Sequence, residues 1–378
     1  MAVLGPRAAI DWALPTGIDA DEILKFQLRS GLSGAQVIGM AAGQIGAVNV
    51  DLVRQYGGIL SMTEGQFAFA RQGETSRSQT PLKAEFAIAD AVRSDEIGGM
   101  LPIADYEDAV AWTPIYLRDA RQSQIDADLQ LIADRWRNRV EYDLLTRIFT
   151  NTENSIGDSG YDVPWAIGTG TNVDYIPPQY SSYVFSSSHS HFNYHNDTTE
   201  GVDWATALEA AALDLRHHGL SGPLQAFFGD SDLDEVIALT NFVELNPTNI
   251  QIIAGNSSAP IYAATGELNG VPGELFGFYK SKKWGLIELY RWPRIPENYG
   301  FMTRSFGNNN PRNGLAVREH PVAGFGMRVD PQVTNSLMPE LDFVLFKATH
   351  GVGVNNRLNG VAMYLAAGAA AWANPSIT

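Results

Sequence analysis

From Arg121 to Thr150 the chain runs thirty residues without a glycine or a proline, although 36 Gly and 19 Pro are spread over its 378 residues. Within that stretch Ile125, Leu129, Ile132, Trp136, Val140, Leu144 and Ile148 recur three to four apart, the spacing that gathers side chains on one face of an α-helix. A helix over 121–150 would be about 45 Å long at 1.5 Å per residue, which makes it a strut. Asp119, with Gln122 three residues on, reads as an N-cap with its capping-box partner. Arg137–Glu141, Arg139–Asp143 and Asp143–Arg147 are expected to add i,i+4 pairs on the wet faces.

The remaining chain is broken by turn residues. Residues 1–61 read as an arm: Asp19 to Leu32 suits a short helix, and Gly31, Gly34, Gly39, Gly43 and Gly46 make the next stretch too glycine-rich for a long one. A long β-hairpin is expected at 62–93, with Phe67 and Phe69 alternating on the way out and Leu82, Phe86 and Ile88 on the return, around the polar tip Gln72–Pro81. It carries few large apolar side chains and would gain order by lying on a neighbour. Ala111–Leu117 reads as a strand leading into the long helix, and Asn151–Glu200 as long loops with a hairpin.

An α+β region is expected over about 205–303. It would hold a helix from Asp203 to His218, a buried strand Pro223–Gly229, a helix opening at Asp230, and strands at Gln251–Ala254, Leu275–Tyr279 and Leu286–Tyr290. Strands at Gly324–Val329, Leu341–Thr349 and Gly360–Leu365 close the chain, with the long helix as their expected cover. No internal repeat is found.

Composition removes several function classes. A chain 45% hydrophobic and 18% charged is expected to fold. No apolar run reaches 18 residues, so no membrane-spanning helix is expected, and Met1–Arg7 carries no basic lead into an apolar stretch, so no signal peptide is expected either. Without cysteine there are no disulfides, thiolate metal sites or cysteine nucleophiles. The net charge of −16 repels nucleic acid; it either aids solubility or lines a wall that encloses a polyanion without adhering to it.

Motifs that carry chemistry are few. His189 and His191, alternating on an extended segment with His195 nearby, have a spacing sterically right for Zn²⁺ or Ni²⁺. The serine-rich surroundings and the lack of a His-Glu-x-x-His helix favour a solvated loop. His217 and His218 end a helix, where histidine meets the dipole. Asp230-x-Asp232-x-Asp234 opens like a calcium loop, but Glu235 and Asn241 stand where glycine and glutamate are required, so it reads as charge at a helix N-terminus. His350-Gly-Val-Gly-Val-Asn lacks the third glycine of a dinucleotide site. Among 42 acidic residues nothing singles out a glycosidase-like pair, and the sequons at Asn196 and Asn256 are weak patterns. The expectation is therefore no catalytic, cofactor-binding or metal residue, and no cofactor.

The order of parts resembles the major capsid proteins of tailed bacteriophages, the Hong Kong 97-type fold. The match lies in the arm, the hairpin, the strand at Ala111–Leu117, the helix at 121–150, the α+β insertion and the closing strand Gly360–Leu365. The resemblance implies an α+β chain with an N-terminal arm at 1–61 and an extended hairpin, or E-loop, at 62–104. A peripheral (P) domain at 105–204 and 304–378 would be built on the spine helix, and an axial (A) domain would span 205–303. It implies a non-enzymatic shell subunit that self-assembles as hexamers and pentamers into an icosahedral head enclosing double-stranded DNA. Its partners would be itself, a portal and separate scaffold or decoration proteins, with no membrane, in the virion after assembly in the host cytoplasm. An encapsulin-type nanocompartment shell is the alternative within the fold. A hydrolase using carboxylates or the His189, His191 and His195 group is the alternative outside it. Some family members join a hairpin lysine to a late asparagine; Lys83 with Asn355, Asn356 or Asn359 corresponds, although Lys83 reads as an ordinary solvated strand residue.

Overall fold

Glycine does not keep the N-terminal segment out of a helix. The computed structural model describes residues 34–71, 96–112, 116, 119–156, 160–168, 174–199, 202–244, 271–330 and 342–377. Its first element is a 23-residue helix, α1 (Gly34–Tyr56), where the sequence predicts only helical pieces in an extended arm. Val37, Ala41, Ile45, Val48, Leu52 and Tyr56 form one buried stripe, and burying it outweighs the roughly 1 kcal/mol lost at each interior glycine. Gly39, Gly43 and Gly46 lie off the stripe, with no atom within 4 Å of where a Cβ would stand. Contrary to expectation, Gln36–Tyr56 is long and apolar enough, by length and composition alone, to cross a membrane. The expected helix at Asp19–Leu32 lies outside the described residues.

The long helix is α2 (Gln122–Phe149), and all seven residues of the predicted stripe are buried. Its start is shifted. Asp119 is itself helical, in a preceding turn, and Gln124 Oε1 accepts the Arg121 N–H at 2.8 Å, the reciprocal half of a capping box two residues late. The charged face makes contacts beyond the expected pairs. Arg137 meets Asp134 at 3.3 Å, and Arg139 donates to the Tyr106 hydroxyl at 3.2 Å while lying over that ring. Arg147 leaves the wet face altogether. It is buried, 2.6 Å from Asp162 Oδ2, and its other amino group donates to the Thr150 and Thr152 carbonyls, capping the helix C-terminus.

The described residues also form α3 (Trp204–His217) and the short α4 (Leu233–Ile237). The strands are β1 (Leu60–Thr63), β2 (Phe67–Arg71), β3 (Glu96–Met100), β4 (Ala104–Trp112), β5 (Asn154–Ile156), β6 (Gly160–Asp162), β7 (Phe192–Asn196) and β8 (Leu224–Phe228). They continue with β9 (Phe242–Glu244), β10 (Glu274–Ser281), β11 (Gly285–Arg291), β12 (Tyr299–Thr303), β13 (Leu315–Glu319), β14 (Arg328–Asp330), β15 (Asp342–Val354) and β16 (Val361–Ala366). The chain divides into two compact units. The first takes Met1–Val53, Ile103–Tyr142 and Glu319–Gly351, and the second the remainder.

In the first unit β15 pairs antiparallel with β4, from Asp342 opposite Trp112 to His350 opposite Ala104, and with β14 through Arg328 opposite Lys347. Of the strand predicted at Ala111–Leu117, Ala111 and Trp112 close β4, whose body lies upstream, and residues 113–115 and 117 lie outside the described residues. Trp136 packs edge-on to His350 and donates from Nε1 to Asn49 Oδ1 at 3.0 Å. Asn49 Oδ1 also accepts from the Met327 N–H, and its Nδ2 donates to the Met327 carbonyl at 2.8 Å. Gly326, at φ +113°, leaves room for that amide; a Cβ there would stand 2.5 Å from Asn49 Cγ.

The second unit is built on a seven-stranded sheet in the order β7-β16-β12-β8-β11-β10-β9. Alternation along β8 sends Leu224, Ala226 and Phe228 to one face, where α3 lays Trp204, Leu208, Ala211 and Leu215. The opposite face stacks Phe227 on Tyr290 and Phe301. α3 and the β10–β11 hairpin form where the sequence predicts them. β16 runs between β7 and β12, and Val361, Met363 and Leu365 join the core beneath α3. Elsewhere in the unit β1 runs parallel to β13, and β2 pairs antiparallel with β3, Phe67 opposite Met100. The hairpin's tip and its predicted return at Leu82, Phe86 and Ile88 lie outside the described residues, as does Gln251–Ala254.

The segment expected as loops does hold the hairpin β5–β6, and several of its described residues are packed. Val163, Trp165, Ala166, Tyr175 and Phe192 are buried. Trp165 stacks on Phe301 and donates to the Ile148 carbonyl at 2.9 Å. Gly314 and Gly360 admit that indole, since a Cβ on either would come within 3.0 Å of its ring.

Candidate functional site

Three histidine rings converge in the second unit. His189 and His191 lie on the extended segment entering β7, pinned by Gly168 N–H to the His189 carbonyl, His191 N–H to the Ala166 carbonyl, and Ala362 N–H to the His191 carbonyl. His218 is the C-cap of α3. The helix ends in a Schellman motif: Gly219 N–H bonds the Arg216 carbonyl, Leu220 N–H bonds the Leu215 carbonyl, and Gly219 takes φ +77°. The backbone therefore caps itself, which leaves the His218 ring to turn toward the β7 segment.

The ring atoms meet at Nε2. His218 Nε2 lies 3.0 Å from His189 Nε2 and 3.0 Å from His191 Nε2. His191 Nδ1 lies 2.8 Å from the Gly360 carbonyl, which only accepts, so His191 carries its proton on Nδ1. His218 Nδ1 is buried without a hydrogen-bond partner. Burial holds His189 down at about 4 and His218 at about 3, and holds His191 well below the ordinary range, with the neighbouring rings adding to the effect. All three are neutral at pH 7. Phe185 stacks on His218 at 4.5 Å and tilts against His189 at 4.7 Å, roofing the cluster.

This geometry corrects two expectations drawn from the sequence. His189 and His191 do not sit in a solvated loop, because His191 is fully buried. His218 does more than meet a dipole; it supplies the third ring, in the place expected of His195. His195 stands apart on β7. His217 packs instead against Tyr183, ring centroids 4.0 Å apart. The join of His218 to a segment about thirty residues earlier has no local sequence signal beyond the helix stop at Gly219.

The other described sequence candidates each meet partners of their own. Asp230 pairs with Arg291 at 2.7 Å, and Asp232 accepts the Asn298 N–H at 3.0 Å, so the aspartates face different partners rather than one ion. Burial lifts Asp232 to about 7, against its hydrogen bond, and lifts Asp214, which accepts from Asn193 Nδ2 at 2.7 Å, to about 6. Asp162 faces Arg147; burial raises it above the ordinary carboxylate range and Arg147 opposes the rise. His350 is a buried ring among Tyr106, Trp136 and Phe325. Asn359 is fully buried and committed at both ends of its amide, donating to the Arg304 carbonyl at 2.8 Å and accepting from the Arg304 N–H at 3.0 Å. Asn355 and Asn356 donate to the Pro311 and Arg312 carbonyls, and Lys83 lies outside the described residues.

The architecture, a long helix and a multi-stranded mixed sheet covered by a second helix, is α+β, and the chain has the Hong Kong 97-type fold. A solved structure from Mycobacterium phage Patience matches over 94% of this chain and 94% of that chain, with 18% identity and a TM-score of 0.61. The fold assignment rests on that match. More distant are the capsid of a native GTA particle (12% identity, 83% and 91% covered, TM-score 0.45) and the capsid of cyanophage P-SCSP1u (13% identity, 82% and 87% covered, TM-score 0.44). No family model matches the chain, and no curated protein matches it.

Proposed function

We propose that the chain is a major capsid protein of a tailed phage, a non-enzymatic subunit that self-assembles into the icosahedral shell of the virion around double-stranded DNA. The observation that carries this reading is the likeness to the phage Patience structure over nearly the whole of both chains. Among the described residues, Asp162, Asp214 and Asp232 are individually committed to Arg147, Asn193 and Asn298. On this reading 1–61 is the arm, 62–104 the E-loop, 105–204 with 304–378 the P domain, and 205–303 the A domain. Hexamers and pentamers form through repeated heterologous contacts, alongside a portal and any separate scaffold or decoration protein, with assembly in the host cytoplasm. The charge of −16 suits a wall that holds DNA without adhering to it.

Size-exclusion chromatography of the purified chain, with nucleic-acid content measured on the assembled fraction, tests the proposal. Capsomers or shells are expected, and deletion of residues 72–81 should abolish assembly. A small oligomer, or unchanged particle yield after the deletion, contradicts it. Shells from infected cells that hold a protein cargo and no DNA would point to a nanocompartment instead.

A further inference from the structure

We propose that His189, His191 and His218 bind one divalent transition-metal ion of the Zn²⁺ type, which staples the end of α3 to the segment entering β7. Hydrogen bonding does not account for the cluster. Each neutral ring carries one N–H. The proton of His191 is on Nδ1, facing the Gly360 carbonyl, so its Nε2 is a bare lone pair. The contact between His191 and His218 therefore needs a proton on His218 Nε2. That same proton bars His218 from accepting one from His189, although His189 Nε2 is also 3.0 Å away. Every neutral arrangement leaves one of the two contacts without its own hydrogen.

A metal ion satisfies all three lone pairs at once. The three ligand atoms lie within 4.8 Å of one another. Zinc–imidazole bonds of about 2.0–2.1 Å in a tetrahedron set nitrogens about 3.3 Å apart, so the His189–His218 and His191–His218 pairs need to part by only a few tenths of an ångström from their 3.0 Å contacts. The bond from His191 Nδ1 to the Gly360 carbonyl is the outer hydrogen bond that orients a ligating imidazole and fixes its tautomer. An all-nitrogen donor set selects Zn²⁺, Ni²⁺ or Cu²⁺ and rejects Mg²⁺ and Ca²⁺, which demand oxygen. The fourth position falls to water. Because His218 closes α3 and the His191 backbone bonds to Ala166 and Ala362, the ion would tie helix, strand and the Trp165 segment together.

The test uses the full-length chain, stripped with chelator and dialysed against Zn²⁺, with Mg²⁺ in a parallel arm. One Zn²⁺ per chain should be retained, with a raised unfolding midpoint, and no Mg²⁺. His218→Gln and the half-exposed His189→Asn should each weaken Zn²⁺ binding at least about 100-fold while keeping the far-ultraviolet circular dichroism of the parent. Co²⁺ gives a second readout: visible tetrahedral ligand-field bands in the parent, absent in a variant that remains folded. Failure of the parent to retain Zn²⁺, or equal retention by parent and both variants, would overturn the proposal.

Discussion

α1 and α2 are both long and both bury a single apolar stripe, yet only one of them can be read from the sequence. α2 has no glycine, and its stripe includes Trp136, Leu144 and Ile148. α1 carries glycine at positions 39, 43 and 46, and its stripe includes the small Ala41. Intrinsic propensity separates the two sequences by about 1 kcal/mol per interior glycine. Burial of the stripe reverses that balance for α1, since each fully buried large aliphatic side chain contributes roughly 1.5–3 kcal/mol. A glycine-rich segment is a poor helix in isolation and an adequate one once a surface receives it.

The comparison can be broken most forcefully in α2. Trp136→Ala removes a ring packed on Phe325 and His350 and a donor to Asn49; a loss of about 3–5 kcal/mol in urea unfolding is expected. Arg147→Ala strands Asp162 in a buried site and should cost about 3–5 kcal/mol, with the last turn of α2 losing hydrogen-exchange protection. If tertiary burial holds α1, Ile45→Ala should destabilise it by about 2–4 kcal/mol despite the poor propensity of its surroundings. A cost under about 0.5 kcal/mol would mean that α1 is an appendage.

Smaller effects sharpen the picture. Asp232 is raised to about 7 by burial, so the folded state holds its proton over a range where the unfolded chain has released it. The stability it contributes is full below the ordinary value of 3.8 and is lost as pH rises through about 7. Asp232→Asn should flatten the fall in unfolding free energy between those two limits, as followed by urea titration at several pH values. Last, Gly43→Ala meets no atom within 4 Å and should stabilise the unassembled chain by about 0.5–1 kcal/mol.

Legibility in the sequence tracks how local each signal is. The stripe of α2, the body of α3 and the buried run of β8 are written in consecutive residues, and each appears where periodicity places it. β13 and the body of β4 escape such a reading, because half-polar strands such as Leu315–Glu319 acquire their identity from a partner hundreds of residues away. The histidine cluster is hidden for the same reason. Two of its rings are close in sequence, but the third arrives only when α3 stops at Gly219 and folds against β7 and β16. The loop-like composition of 151–200 likewise conceals Trp165, whose burial depends on Gly314 and Gly360 lying across its ring.

On the proposed function, many copies of this fold assemble into one shell. Negative-stain electron microscopy of the purified full-length chain measures that directly: closed, uniform shells or capsomer rings are the predicted images. A field of single small globules at high protein concentration, unchanged by time or salt, would contradict the account.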